Sequence, residues 1–104
     1  MGEQKPGLEE KVSSQTRDEV TEPPLFRVIL LNDDYTTMEF VVEVLTTVFN
    51  KSLPTATRIM LDVHRKGSGL CGTFPYEVAE TKADTVHALA RQKGYPLKCI
   101  MEKE

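Results

Sequence analysis

One apolar run limits what this chain can fold into more than any other feature. Residues Leu25–Leu31 are apolar except for Arg27, follow two prolines, and precede the turn-forming triplet Asn32-Asp33-Asp34. A short, β-branched and apolar run between such signals predicts a β-strand. We expect this strand to lie in the centre of a sheet.

Three helices are predicted after this strand. The Thr36–Glu39 spacing matches a capping box, in which each side chain bonds the backbone N–H of the other residue. Ser52 can cap a second helix, and Gly67 suits its left-handed C-cap. Apolar residues recur with a helical period in the segments 36–50, 52–66 and 76–93.

Two further segments, 69–74 and 97–101, are short and apolar and predict strands, the last of them at an edge of the sheet. The resulting order is β-α-α-β-α-β. It predicts an α+β fold, with a three-stranded, largely antiparallel sheet and three helices packed on one face.

The charge distribution divides the chain at the two prolines. Residues 1–24 contain six acidic and three basic side chains, which accounts for the whole net charge of −3 and leaves residues 25–104 neutral. Few large apolar residues precede the division, so we expect a disordered N-terminal extension at 1–24 and one folded domain at 25–104. A neutral domain lacks the basic face of a nucleic-acid binder, and no apolar run approaches the ~18 residues of a membrane span. We therefore expect a protein that binds neither nucleic acid nor membrane. The N-terminus lacks the apolar core of a secretory signal, so we expect a cytoplasmic location. We also expect a monomer.

The candidate chemistry is concentrated in two places. Asn32, Asp33 and Asp34 gather acceptor oxygens after the first strand, and His64 adds a ring nitrogen in the last turn of the second helix. Turn formation explains the triplet about as well as ligand binding does, and a partly buried histidine is more often structural than a ligand.

Two cysteines are too few for a disulfide scaffold or a four-ligand metal site. His87 is expected to be exposed without a partner.

Several separate motifs resemble one known family. The segment 28–41, VILLNDDYTTMEFV, is similar to the signature of ClpS, the bacterial adaptor that delivers N-degron substrates to the Clp protease. The segments 56–64, 77–82, 96–97 and 102–103 are similar to further family blocks and occur in the same order. The resemblance covers about residues 24–103 and departs from the family pattern at Thr37, where proline is usual.

The resemblance implies a recognition module without cofactor, metal or catalytic activity. It would bind proteins whose first residue is Phe, Tyr, Trp or Leu. The free α-amino group would be held by Asn32, Asp34 and His64, with nearby peptide contacts from Asp33. The first side chain would enter a hydrophobic pocket formed by Leu31, Thr36, Met38, Val41, Met60, Val63 and Leu97. The Met38 position is associated with rejection of β-branched first residues.

A second surface is also implied by the resemblance. Glu77, Thr81 and Lys82 match positions associated with docking on the N-terminal domain of the ClpA unfoldase. The flexible N-terminal extension of the family is associated with substrate handover rather than with binding.

Two alternative functions remain open on the residues alone. A small metal-dependent hydrolase would use Asp33, Asp34 and His64, although three donors without a separate general base are few for such a site. A purely structural interaction domain, similar to the ribosomal stalk domain of comparable topology, would not bind hydrophobic N-termini at all. Metal content and affinity for such termini distinguish these functions.

Overall fold

The computed structural model describes residues 22–104, so most of the predicted extension lies outside the described residues. Six elements follow in chain order: β1 (Leu25–Leu31), α1 (Met38–Thr47), α2 (Leu53–Lys66), β2 (Ser68–Pro75), α3 (Tyr76–Lys93) and β3 (Lys98–Lys103). This is the predicted order β-α-α-β-α-β, and the α+β fold is confirmed. None of the helices within 22–104 is both long and apolar enough to cross a membrane.

The sheet has the strand order β2-β1-β3, and both neighbours of β1 run antiparallel to it. Strand β1 is therefore central, as predicted, and β3 is an edge strand. Val28 and Leu30 are fully buried on the face that the helices cover. Helix α3 contacts all three strands, α2 contacts β2, and α1 packs against α2. Because alternate residues of a strand point to opposite faces, Ile29 and Leu31 lie on the open face and are only half-buried.

The start of α1 differs from the prediction by one residue. Thr37, not Thr36, is the N-cap, and its hydroxyl oxygen accepts a hydrogen bond from the N–H of Phe40 at 3.1 Å. The Thr36 hydroxyl instead donates to the Asp33 carboxylate at 2.7 Å, so Thr36 belongs to the preceding turn. The proline that is usual at position 37 in the resembled family could not supply this side-chain cap.

The remaining boundaries are close to the predicted ones. Ser52 caps α2, and Gly67 ends it in the left-handed conformation with φ of 92°. Helix α3 ends before Gly94, and its inward stripe of Ala79, Ala83, Val86 and Ala90 is buried. Helix α1 ends at Thr47 rather than near Asn50, because Asn50 has a positive φ of 55° that an α-helix cannot continue through.

The prediction for His87 is wrong. Its Nε2 accepts a hydrogen bond from the backbone N–H of Cys99 at 3.0 Å, and the residue is half-buried. Since β3 is an edge strand, its outward N–H groups have no neighbouring strand, and His87 satisfies one of them. Cys71 and Cys99 are free and buried, and burial raises the pKa of both thiols to about 12.

Candidate ligand-binding site

A cavity of about 230 Å³ lies where β1 ends. It is bordered by the start of α1 and by the second half of α2. It is lined by Asn32, Asp33, Asp34, Thr36, Met38, Val41, Met60, Val63 and His64. The fold therefore brings together all four residues predicted for the α-amino group and five of the seven predicted for the hydrophobic pocket. These residues come from two helices, α1 and α2, and from the turn between β1 and α1.

One backbone hydrogen bond joins the two halves of this cavity. The N–H of Asn32 donates to the carbonyl of Gly67 at 3.0 Å. Gly67 ends α2 in a left-handed conformation, which aims its carbonyl at the end of β1. His64, in the last turn of α2, is consequently held beside the polar triplet although it is distant in sequence.

The side chain of Asp33 stabilises the turn between β1 and α1. Its carboxylate accepts hydrogen bonds from the N–H groups of Tyr35 at 2.8 Å and Thr36 at 2.7 Å, and from the Thr36 hydroxyl. Slight burial acts to raise the pKa of Asp33, but the hydrogen bonds from Thr36 and Tyr35 outweigh it, so the net pKa lies below its usual value. The hydrogen bonds from Thr36 and Tyr35 therefore stabilise the charged form of the Asp33 carboxylate.

Asn32, Asp34 and His64 are different, because their side chains are exposed and form no hydrogen bond or ion pair with any residue between 22 and 104. A carboxylate oxygen, an amide oxygen and a neutral imidazole nitrogen are all hydrogen-bond acceptors. Together they can surround a group that carries several donors and a positive charge, such as an ammonium.

The opposite wall of the cavity is apolar. Val41 and Val63 are buried, Met60 is half-buried, and Met38 is 44% exposed at the mouth. Methionine is unbranched and flexible, so two methionines make a wall that can adapt to side chains of different shape. This cavity can therefore accept a cation on one side and a large apolar group on the other.

Leu31 and Leu97 lie outside this cavity. Leu31 points to the open face of the sheet and lines a neighbouring cavity of about 370 Å³ together with residues 32–35, Pro96 and Lys98. Leu97 is 3% exposed and lines a third cavity, of about 440 Å³, beside His87 and Ala90. Their contribution to the pocket remains a prediction.

The residues of the second predicted surface lie on α3, in two different environments. Glu77 and Thr81 are exposed. Lys82 is half-buried, and its ammonium donates to the carbonyl of Val48 at 2.8 Å. The same ammonium lies 5.7 Å from the ring centre of Phe49 and 5.2 Å from that of Phe74. Lys82 therefore ties the end of α1 to α3.

The structure also bears on the alternative of a metal-dependent hydrolase that would use Asp33, Asp34 and His64. Within the part of the chain that the structure describes, no three His, Cys, Asp or Glu side chains are grouped so that they could hold a metal ion. The carboxylate of Asp33 is already engaged by three hydrogen bonds. The hydrolase alternative gains no support from this geometry.

Comparisons with known proteins agree on one family. The model of the family described as "ATP-dependent Clp protease adaptor protein ClpS" matches residues 21–100. The ATP-dependent Clp protease adapter protein ClpS of Desulforapulum autotrophicum is 56% identical over 99 residues, which cover 95% of each chain. The protein of the same name from Nitratidesulfovibrio vulgaris is 62% identical over 86 residues, 83% of this chain and 86% of that protein.

A solved structure extends the likeness to three dimensions. Agrobacterium tumefaciens ClpS2 bound to L-phenylalaninamide is 43% identical, with a TM-score of 0.77, and the match covers 80% of this chain and all of that chain. The names of the relatives describe an adaptor rather than an enzyme. The chain described above belongs to the ClpS family of adaptor proteins of the ATP-dependent Clp protease.

Proposed function

We propose that this protein is a cytoplasmic, monomeric adaptor that binds proteins whose first residue is Phe, Tyr, Trp or Leu and delivers them to the ClpA unfoldase of the ClpAP protease. The observation that carries the proposal is the two-sided cavity, whose one wall has acceptors without a partner among residues 22–104 and whose other wall has methionine and valine side chains. The related ClpS2 was solved with L-phenylalaninamide, which has a free α-amino group and one aromatic side chain.

The acceptor wall would recognise the free α-amino group. Asn32, Asp34 and the neutral ring of His64 can each accept one of the three N–H bonds of an ammonium. Hydrogen bonds to charged groups contribute about 1.5–3 kcal/mol each. An acetylated terminus has no positive charge and only one N–H, so it would lose most of this energy.

The apolar wall would recognise the first side chain. Burying a side chain as large as phenylalanine contributes about 1.5–3 kcal/mol. Micromolar binding corresponds to about −8 kcal/mol, and association carries an entropic cost. These magnitudes together favour micromolar, reversible binding, which suits an adaptor that must release its cargo.

A comparison of free and acetylated peptides tests this function. A fluorescent peptide that begins with phenylalanine is expected to bind with micromolar affinity, whereas the same peptide N-acetylated should bind at least tenfold more weakly, because the cation is removed and the ring is kept. A free peptide that begins with glycine is the matched control for the side chain. Equal binding of the free and acetylated Phe peptides would contradict the proposal.

The docking surface for the N-terminal domain of ClpA is proposed at Glu77, Thr81 and Lys82, at the end of the sheet opposite to the ligand cavity. The exposure of Glu77 and Thr81 supports a direct contact. The ammonium of Lys82 is engaged by the Val48 carbonyl, so we infer that Lys82 acts mainly by holding α1 and α3 together.

Charge reversal at Glu77 separates docking from peptide binding. Glu77→Lys is expected to weaken binding of the isolated ClpA N-terminal domain at least fivefold, because reversing a charge at an interface opposes the partner's complementary group. Binding of the Phe peptide should be unchanged. The matched control is Glu39→Lys, the same change at the exposed start of α1. Unaltered docking of Glu77→Lys would remove this residue from the surface.

A further inference from the structure

We propose that Thr37 is a positioning residue for substrate selection. Its hydroxyl holds the start of α1, so that Met38 stays at the mouth of the ligand cavity and excludes first residues that are branched at Cβ. The proposal rests on the function proposed above, since it requires a substrate whose first side chain enters this cavity.

Two hydrogen bonds hold Thr37 to the first turn of α1. Its hydroxyl oxygen accepts from the N–H of Phe40 at 3.1 Å, and its carbonyl accepts from the N–H of Val41 at 3.2 Å. Phe40 is a fixed point, because it is only 4% exposed and its ring packs against that of Tyr95 with 5.0 Å between the ring centres. The hydroxyl bond therefore ties the exposed start of the helix to the hydrophobic core.

The Thr37 side chain does not line the ligand cavity. Together with Phe40, Lys93 and Tyr95 it lines a separate cavity of about 120 Å³, and no residue lines both cavities. An effect of Thr37 on a bound first residue must therefore pass through its neighbour Met38, which does line the ligand cavity.

Met38 is held mainly by the residues that precede it and by the first turn that follows. It is the first residue of α1, where a backbone N–H has no carbonyl partner within the helix. Thr36 is fixed by the bond from its hydroxyl to Asp33 at 2.7 Å, and Thr37 is fixed by its bond from Phe40. Loss of the Thr37 hydroxyl would give Met38 freedom to move without unfolding α1.

The place of Met38 determines which part of the first residue it meets. Met38 is the most exposed apolar residue of the cavity, whereas Val41 and Val63 are buried. With the α-amino group held by the acceptor wall, the Cβ atom of the first residue is only two bonds away and lies close to the mouth. A residue branched at Cβ carries a second heavy atom there, against Met38, whereas one branched at Cγ does not.

The identity of residue 37 explains why the hydroxyl matters in this chain. A proline at this position would restrict φ to about −65°, close to the −73° that Thr37 adopts. Threonine does not restrict φ in this way. The order of the first turn of α1 therefore depends here on the side-chain hydrogen bond to Phe40.

Leucine and isoleucine peptides test the proposal, because the two side chains have the same atoms and differ only in where they branch. The wild type is expected to bind a peptide that begins with leucine about tenfold more tightly than one that begins with isoleucine. Thr37→Ala should reduce this ratio to about twofold, since the cap is lost. A purely structural role would weaken both peptides equally. A wild-type ratio near one, or an unchanged ratio in Thr37→Ala, would overturn the proposal.

Thr37→Ser is the conservative variant. Serine supplies the same hydroxyl oxygen and is an equally good N-cap, so the ratio should stay within about twofold of the wild-type value. Thr47→Ala is the matched control. It removes a threonine hydroxyl from the other end of α1, where that group donates to the carbonyl of Glu43 at 2.7 Å, outside the ligand cavity. Loss of selection in either variant would contradict the assignment to the Thr37 hydroxyl.

A double-mutant cycle tests whether Thr37 acts through Met38. Met38→Ala alone should lower the ratio of leucine to isoleucine binding, because the excluding side chain is removed. In this background Thr37→Ala should lower the ratio no further, since no side chain is left to position. A second, additive fall would show that Thr37 acts by another path and would overturn the proposal.

The wild-type protein also separates failure of this proposal from failure of the proposed function. If the free and acetylated Phe peptides bind equally, both proposals are wrong. If they differ as expected but Thr37→Ala keeps the wild-type ratio of leucine to isoleucine binding, only the role of Thr37 is wrong.

Discussion

Asp34→Ala is expected to weaken binding of a peptide that begins with phenylalanine by at least tenfold, without lowering the stability of the protein. The Asp34 side chain is exposed and forms no hydrogen bond or ion pair within 22–104, so the fold does not depend on it. In the complex it would be the only carboxylate of the acceptor wall that is not already engaged. Loss of such a charged acceptor costs about 1.5–3 kcal/mol, and about 1.4 kcal/mol is a factor of ten.

Two further variants make this experiment specific. Asp34→Asn keeps an acceptor oxygen but removes the charge, so its affinity should lie between those of the wild type and Asp34→Ala. Asp84→Ala removes an exposed carboxylate from α3, which lies outside the ligand cavity, and should leave affinity unchanged. Fluorescence anisotropy at one ionic strength measures all four proteins. Wild-type affinity of Asp34→Ala would show that Asp34 does not bind the ammonium.

Asp33→Ala gives an informative contrast, because the two neighbouring carboxylates have different surroundings. The Asp33 carboxylate accepts three hydrogen bonds from Tyr35 and Thr36 within the turn. Its removal would leave those donors without their partner, so thermal stability should fall together with affinity. A loss of affinity with unchanged stability is the pattern expected of Asp34 alone.

Gly69→Val is expected to destabilise the protein by about 2–3 kcal/mol, the range typical of overpacking in a well-packed interior. Gly69 lies in β2 directly beneath α2. A Cβ atom there would be 2.7 Å from Cγ2 of Val63 and 3.1 Å from the carbonyl oxygen of Ile59. Carbon atoms in contact normally lie about 3.5–4.0 Å apart, so α2 would have to move away from the sheet. Chemical denaturation at neutral pH measures the loss.

The same substitution should also weaken peptide binding, since Val63 lines the ligand cavity. Ser68→Val is the matched control. It introduces the same side chain one residue earlier in β2, at an exposed position, and should change stability by less than about 0.5 kcal/mol. Wild-type stability of Gly69→Val would mean that α2 is not packed against this glycine as closely as described.

Much of the fold could be predicted because local signals and tertiary packing agree. The caps of α2 at Ser52 and Gly67 are local features, and both are present in the structure. The inward alanines of α3 follow from helical periodicity alone. The error at α1 has a clear cause, since Thr36 and Thr37 are both good caps and only the position of the Asp33 carboxylate decides between them.

The candidate site was less predictable from the residues themselves. The triplet at 32–34 is equally typical of a turn and of a ligand site. The structure shows that Asp33 stabilises the turn, whereas the side chains of its two neighbours have no hydrogen bond or ion pair within the part of the chain that the structure describes. Resemblance to a family, rather than periodicity, suggested that His64 joins the triplet. The bond from Asn32 to the Gly67 carbonyl explains how it does so.

The sequence by itself determined the element order, most element boundaries and the family, because these depend on neighbouring residues and on motifs that occur in a fixed order. Only the tertiary structure decided which side chains share a cavity and which are already engaged. It places Leu31 beside a neighbouring cavity on the open face of the sheet, gives His87 a partner on β3, and engages Lys82 with the end of α1. Each of these outcomes depends on a contact between residues far apart in the chain or on the face of a strand, and local sequence patterns do not encode such contacts.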